Sequence, residues 1–175
     1  ARQNRFGRLL MSATRPIIDV VVEHLQAAIP WVSVEAFPER PSEYQFIHPI
    51  GAILVGYGGS KFGEIEQLGR IAQQRNVRLV LTVFGSSLNT DDGTLAILDE
   101  TRLAMVGFIP PSCQPCHLIS EEFLSEDAGA WQYQLVLQTE TQQVEVCREE
   151  RLPLFTAARY RRPDQDLEPD LKPQK

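Results

Sequence analysis

The chain has 175 residues, 43% of them hydrophobic and 23% charged, which allows one domain plus tails and leaves no room for separate cofactor and substrate domains. That apolar content supports a core and excludes wholesale disorder, while no apolar run approaches the ~20 residues of a membrane helix. A formal net charge of −6 argues against a general duplex-DNA binder, which needs a basic face to displace counterions. The three cysteines, with no secretory signal in view, point to a reducing compartment.

Residues 1–13 carry Arg2, Arg5 and Arg8 and no acid. This basic segment reads either as an arm or targeting stretch or as sequence with no part in the fold. Thr14-Arg15-Pro16 then opens a helix: Thr suits the N-cap, Pro the first turn, and Asp19 the dipole. Ile17, Val21, Val22, Leu25 and Ile29 recur at helical spacing, and Pro30 ends the run. Trp31 to Phe37 alternates as a strand, and Pro38 and Pro41 bracket a loop. Ile50 to Tyr57 has strand length. Gly56 to Lys61 reads as a flexible loop at the end of the sheet. Residues 62–76 are ambiguous, because Ile65, Leu68, Ile71 and Ala72 fit a helix face while Gly63 and Gly69 do not. Val77 to Phe84 alternates clearly, so a strand is placed from 77, with a backward extension to Ile71 as the variant reading.

Asp91-Asp92-Gly93-Thr94 signals a second helix, with the two aspartates as capping groups. Leu95, Leu98, Arg102 and Val106 follow one face, with Ile97 and Met105 alongside. Gly107 supplies the C-cap, and Pro110-Pro111 forbid continuation. Two strands follow, His117 to Leu124 and Trp131 to about Val146, joined by a Glu126-Asp127-Ala128-Gly129 hairpin turn. On the last strand Trp131, Tyr133, Leu135 and Leu137 take one face, and Gln132, Gln134, Val136 and Gln138 the other. Residues 161–175, with Pro163, Pro169 and Pro173 among charges, read as a solvated tail, which leaves one domain over 14–160. The order α, β, β, β, α, β, β predicts an α+β fold: an antiparallel or mixed four- to five-stranded sheet with two helices packed on one face.

Three local features invite chemistry. Cys113-Gln114-Pro115-Cys116-His117 has the spacing of a c-type haem attachment and of a redox pair. It follows prolines and precedes a strand, which is the wrong context for thioredoxin chemistry. A zinc site would need Cys147, His48 or His24 as a further ligand. An incidental pair of loop cysteines is the plainer reading. Gly56-Tyr57-Gly58-Gly59-Ser60-Lys61 follows a strand but fails the phosphate-loop spacing. Asp91, Asp92, Asp99 and Glu100 crowd the second helix, and Glu121, Glu122 and Glu126 decorate a strand and turn, without a partner set for acid–base work. No catalytic constellation, metal site or cofactor site is assembled from these residues.

A resemblance adds to this reading. Ile53-Leu54-Val55-Gly56-Tyr57-Gly58-Gly59-Ser60-Lys61-Phe62 leads into the Arg75 to Phe84 strand. Ser86-Ser87-Leu88-Asn89-Thr90-Asp91-Asp92-Gly93 precedes Leu98-Asp99-Glu100-Thr101-Arg102 and Gly107-Phe108, and Gly129-Ala130-Trp131-Gln132-Tyr133 opens the last strand. In this order and spacing, over about residues 15–150, the chain resembles the tail-completion, or tail-terminator, proteins of Mu-like phages and prophages. The resemblance implies an α+β fold similar to the tail terminators of lambda-type phages, and a non-enzymatic assembly role without cofactors. It implies self-assembly into a ring, usually a hexamer, that caps the tail tube, ends its polymerisation and offers a surface for head joining. The implied partners are the tail tube protein and a head–tail connector protein, with no membrane and no sequence-specific nucleic acid. The implied location is the bacterial cytoplasm, or the virion of an active phage. Tyr57, Gly58, Gly59, Ser60, Lys61 and Phe62, with Gln132, Gln134 and Gln138, are the candidate subunit or tube contacts. The alternatives are a small redox or metal module built on Cys113 and Cys116, and a solitary binding domain.

Overall fold

Two amphipathic helices and several alternating strands can hide their apolar sides only against one another, and the molecule does so around one sheet. The computed structural model describes residues 14–39, 47–65, 71–127 and 129–146. The elements are α1 (Thr14–Ala28), β1 (Ser33–Ala36), β2 (Gly51–Ile65), β3 (Ala72–Gly85), α2 (Thr94–Met105), β4 (His117–Asp127) and β5 (Ala130–Val144). Their order is the one read from the sequence, and the class is α+β. The basic segment 1–13, the tail 161–175, and the Pro41 end of the proline-bracketed loop lie outside the described residues.

The five strands form a mixed sheet in the order β1-β2-β3-β5-β4. β1 lies parallel to β2, and the other neighbours are antiparallel. Alternation sorts the sheet's two faces. Val77, Leu79, Leu81 and Val83 of β3 join Ile53 and Val55 of β2 and Leu135 and Leu137 of β5 in the main core. Ile17, Val21, Leu25 and Ile29 from the α1 region and Ile97, Leu98 and Met105 of α2 cover that same face. A smaller buried group, Ala52, Leu54 and Phe84, sits on the opposite face.

Helix α1 follows its predicted stripe. Asp19, expected to complement the dipole, instead forms an exposed pair with Arg15 one turn back; no acid lies in the first turn. The C-terminal half of α1 is tied to α2: His24 stacks on Phe108 at 3.9 Å and donates from Nε2 to the Ala104 carbonyl at 2.9 Å.

Helix α2 departs from its prediction in two ways. Its cap residue is Gly93, with no side-chain cap bond, so Asp91 and Asp92 do not cap it. The carbonyls of Ser87 and Leu88 accept from the Thr94 and Leu95 amides instead, at 2.8 and 3.3 Å; the preceding loop supplies the acceptors that the aspartates were expected to give. Its buried face is Thr94, Ile97, Leu98, Thr101 and Met105. Leu95 and Val106, expected to face inward, are exposed. Gly107 ends the helix as predicted, at φ 81°, the left-handed geometry that glycine adopts without penalty.

The largest correction concerns Gly56 to Lys61. This segment is strand, not loop: β2 runs through it to Ile65 and pairs with β3. The glycines make that possible. A Cβ on Gly58 would stand 2.7 Å from Val80 Cγ2, and Gly59 has φ +99°, so the pair forms a β-bulge between Tyr57 and Ser60. β2 and β3 are therefore a long hairpin whose outer half, from Tyr57 onward, extends past the end of β1.

Candidate assembly interface

The three chemical features of the sequence take structural roles. Segment 110–116 is laid along the outer half of β5. The Gln114 amide donates to the Glu140 carbonyl at 2.7 Å. Buried Thr139 and Thr141 donate from their hydroxyls to the Gln114 and Ser112 carbonyls, at 2.5 and 2.7 Å. Cys116 is not an incidental loop thiol: it is 2% exposed and belongs to the main core. Its amide donates to the Phe108 carbonyl, and its own carbonyl accepts from Gly107. Burial, reinforced by neighbouring Cys113, pushes the Cys116 thiol up to about 11, and burial raises Cys113 as well. Both are protonated near neutrality, and the thiolate is the form that attacks disulfides and ligates zinc. Among the described residues no three His, Cys, Asp or Glu side chains group as a metal site.

This placement gives a stability prediction. Cys116→Ser puts an extra hydroxyl dipole into an apolar site and is expected to cost about 1–3 kcal/mol, whereas Cys113→Ser, half-buried, changes little. The folded-state value of Cys116 lies above its ordinary 9.0. Its contribution is therefore complete below about pH 9 and lost as pH rises toward about 11. Urea melts from pH 8 to 11 check this, and Cys116→Ala should flatten the dependence.

Asp99 and Glu121 both bind Arg102, which joins α2 to β4 on the helix-covered side. This raises Arg102 further above its usual range, chiefly through the Glu121 bond. Glu121 thus holds β4 to α2 through Arg102, and Asp99 braces that arginine within the helix. Asp99, Arg102, Leu103 and Val106 line an open groove on the outer side of α2.

Among the described residues, two strand edges and several apolar side chains are left without cover. β1 covers β2 only as far as Val55. Beyond it, among the described residues, the outer edge of Tyr57–Ile65 has no strand beside it. At the other side of the sheet, among the described residues, β4 pairs with β5 alone. Both edges carry exposed apolar groups: Phe62 is 54% exposed and Phe123 53%, with Ile65, Ile119 and Leu124 similar.

Of the candidate contacts, Tyr57, Ser60 and Phe62 pair with Leu79, Val77 and Arg75, which puts them on the helix-covered face; Lys61 pairs with Asn76, on the other face. Gly58 and Gly59 form the bulge. Gln132, Gln134 and Gln138 pair with Phe84, Thr82 and Arg78, also away from the helices, and all three are half-buried. β3 stands between the two groups, so the sheet does not bring them into one patch.

Sequence reasoning passed over Arg75. It is 6% exposed and donates from Nε to Ser60 Oγ at 2.9 Å and from Nη2 to Thr14 Oγ1 at 2.7 Å. It also reaches the Tyr57 hydroxyl at 3.4 Å, and its guanidinium lies 5.9 Å from the Tyr57 ring centre. The Ser60 bond, then Arg75, lower the Tyr57 phenol against the opposing effect of burial. The signal for Arg75 was its parity: it shares a face with Val77 and Leu79, where a charged residue requires partners.

A sequence model of the Gp37 protein family matches residues 21–162, from the middle of α1 past the end of β5. The chain belongs to the Gp37 protein family. Among solved structures, a chain in the virion of a native gene transfer agent particle is similar to this Gp37-family chain at 16% identity, with a TM-score of 0.40. The alignment covers 75% of this chain and 98% of that one. No curated protein matches it. No described helix is long and apolar enough to cross a membrane.

Proposed function

We propose that this Gp37-family protein is a structural assembly protein of a phage or prophage tail. It forms a closed ring, a hexamer, that caps the tail tube, ends its polymerisation and presents a surface to the head–tail connector. The observation that carries this reading is the pair of edges, distal β2 and β4, that are unpaired among the described residues and lie on opposite sides of one sheet. An exposed edge is a template for another chain. Two different edges on opposite sides make a heterologous contact, which repeats from copy to copy and closes when the rotation allows. The tail-terminator resemblance over residues 15–150 supplies the tube end as the place of assembly. The role is non-catalytic: the conspicuous charged groups Arg75, Arg102 and Glu121 hold elements of the fold to one another, and Asp99 braces Arg102.

The test is genetic and direct. Deleting the gene from an inducible prophage should yield overlong, headless tails by electron microscopy, with normal length restored by the gene in trans. Tails of normal length joined to heads in the deletion would overturn the capping role.

A further inference from the structure

We infer that copies join by strand addition: the outer edge of β4 on one copy pairs antiparallel with the distal edge of β2 on the next. The inference rests on the ring reading and assigns its contact. The other candidate edges are short or covered. β1 has four residues, and the Gln26 side chain already donates to its Val34 carbonyl at 2.8 Å. The outer half of β5 is covered by segment 110–116 through the Thr139, Thr141 and Gln114 bonds.

These two edges, open among the described residues, match in detail. β2 and β5 run one way and β3 and β4 the other. Copies related by rotation about a ring axis keep those senses, so β4 meets β2 antiparallel. Each edge is interrupted by two bulges with one regular stretch between them: Ser60–Phe62 on β2, and Ser120–Phe123 on β4. Setting Lys61 opposite Glu122 aligns these stretches. Both side chains then lie on the face away from the helices, since Lys61 pairs within its sheet with Asn76 and Glu122 with Gln134, cross-strand from Thr82. A base faces an acid, and on the helix-covered face Phe62 comes diagonal to Phe123, within reach for aromatic side chains. A slip of one residue would place each of these on the wrong face.

Charge agrees. β4 carries Glu121, Glu122, Glu126 and Asp127 and no Lys or Arg, whereas the described residues of the outer β2–β3 hairpin carry Lys61, Arg75 and Arg78 against Glu64. The alignment also requires a stagger. Glu122 is level with Gln134, Thr82 and Leu54, and Lys61 lies seven residues beyond Leu54 along β2. On β3 this is six positions, Thr82 to Asn76, because the bulge takes up one residue of β2; at about 3.3 Å per residue it is roughly 20 Å across four strand spacings that total roughly 19 Å. That corresponds to strands inclined about 45° to the ring axis, close to the tilt of closed sheets.

The test uses the full chain. Lys61→Glu and Glu122→Lys are each expected to weaken assembly about tenfold or more, summed around a ring, as read by light scattering over a concentration series. The double variant Lys61→Glu/Glu122→Lys should return to within about threefold of the parent, because each contact regains an opposite pair. Hydrogen exchange on the unmodified chain should show assembly-dependent protection at 60–62 and 120–123. That readout decides the matter if either single variant fails to fold. Singles that assemble like the parent, a double no better than the singles, protection confined to other surfaces, or a monomer at every concentration would each overturn the inference. Rings joined this way that fail to limit tail length would sink the capping role and leave the contact standing. Normal capping without protection at these edges would do the reverse.

Discussion

Leu81→Ala is expected to destabilise the protein by about 2–5 kcal/mol, the range for emptying a well-packed leucine site. Leu81 is fully buried at the middle of the central strand. Val55 flanks it on β2 and Leu135 on β5, and all three belong to the core that both helices cover. With neighbours on every side the site cannot collapse without moving two strands, so the upper part of the range is the expectation. The control is Leu103→Ala: Leu103 is 82% exposed, and its truncation should change stability by no more than about 0.5 kcal/mol. Equilibrium urea unfolding of both variants checks the contrast. A loss below about 1 kcal/mol at Leu81 would mean that the sheet and helices are not closed over it.

Arg75→Ala should cost about 2–4 kcal/mol, since hydrogen bonds from a buried charged group are among the strong ones. The guanidinium is a three-way tie: Ser60 and Tyr57 on distal β2, and Thr14 at the start of α1, all bond to it. Arg75→Lys is expected to recover only part of the loss, because an ammonium lacks the planar fork that reaches Ser60 through Nε and Thr14 through Nη2 together. A spectroscopic readout separates this tie from generic packing. Tyr57 is held below the ordinary phenol value by Ser60 and Arg75. In Arg75→Ala its ionisation, followed by ultraviolet difference titration, should therefore move up toward about 10. An unchanged tyrosine titration would remove Arg75 from the Tyr57 environment.

The parts of the fold that were legible are those where burial imposes a period. Val77 to Phe84 alternates because one face of β3 lies under both helices, and α1 shows its stripe for the same reason. The outer hairpin was illegible because no helix stripe presses on Phe62, Ile65 and Ile71, all half-exposed or more. With nothing to force alternation, the sequence there carries no clean period. Gly58 and Gly59 deepened the ambiguity, since glycine weakens a strand signal whether it marks a loop or a bulge. β4 was placed correctly but ended early. Its bulges set Leu118 beside Ile119 and Phe123 beside Leu124, and such doublets break the two-residue rhythm. The cap of α2 was misassigned because the acceptors are backbone carbonyls of Ser87 and Leu88, which have no sequence signature. Of the candidate contacts, the Gln132, Gln134 and Gln138 face followed directly from alternation. The apolar exposure of β4 did not, because exposure of a Phe or Leu is a property of what fails to cover it.

The sheet order has a consequence for synthesis. The central strand β3 gains its second neighbour only when β5, the last described element, is complete: Gly85 and Val144 are 59 residues apart in the chain. At about 5–20 residues per second, the ribosome leaves one edge of β3 open for roughly 3–12 s. α1, β1 and β2 precede that interval and α2 is made within it, so their apolar faces meet a half-built sheet. β4 is made before β5 yet must lie outside it, so it cannot dock onto β3 in passing without blocking the final strand. The four acids on β4 and the paired bulges that interrupt its edge disfavour that premature pairing. The edge that serves assembly once the chain is finished is thus also the one that must stay idle while it is being made.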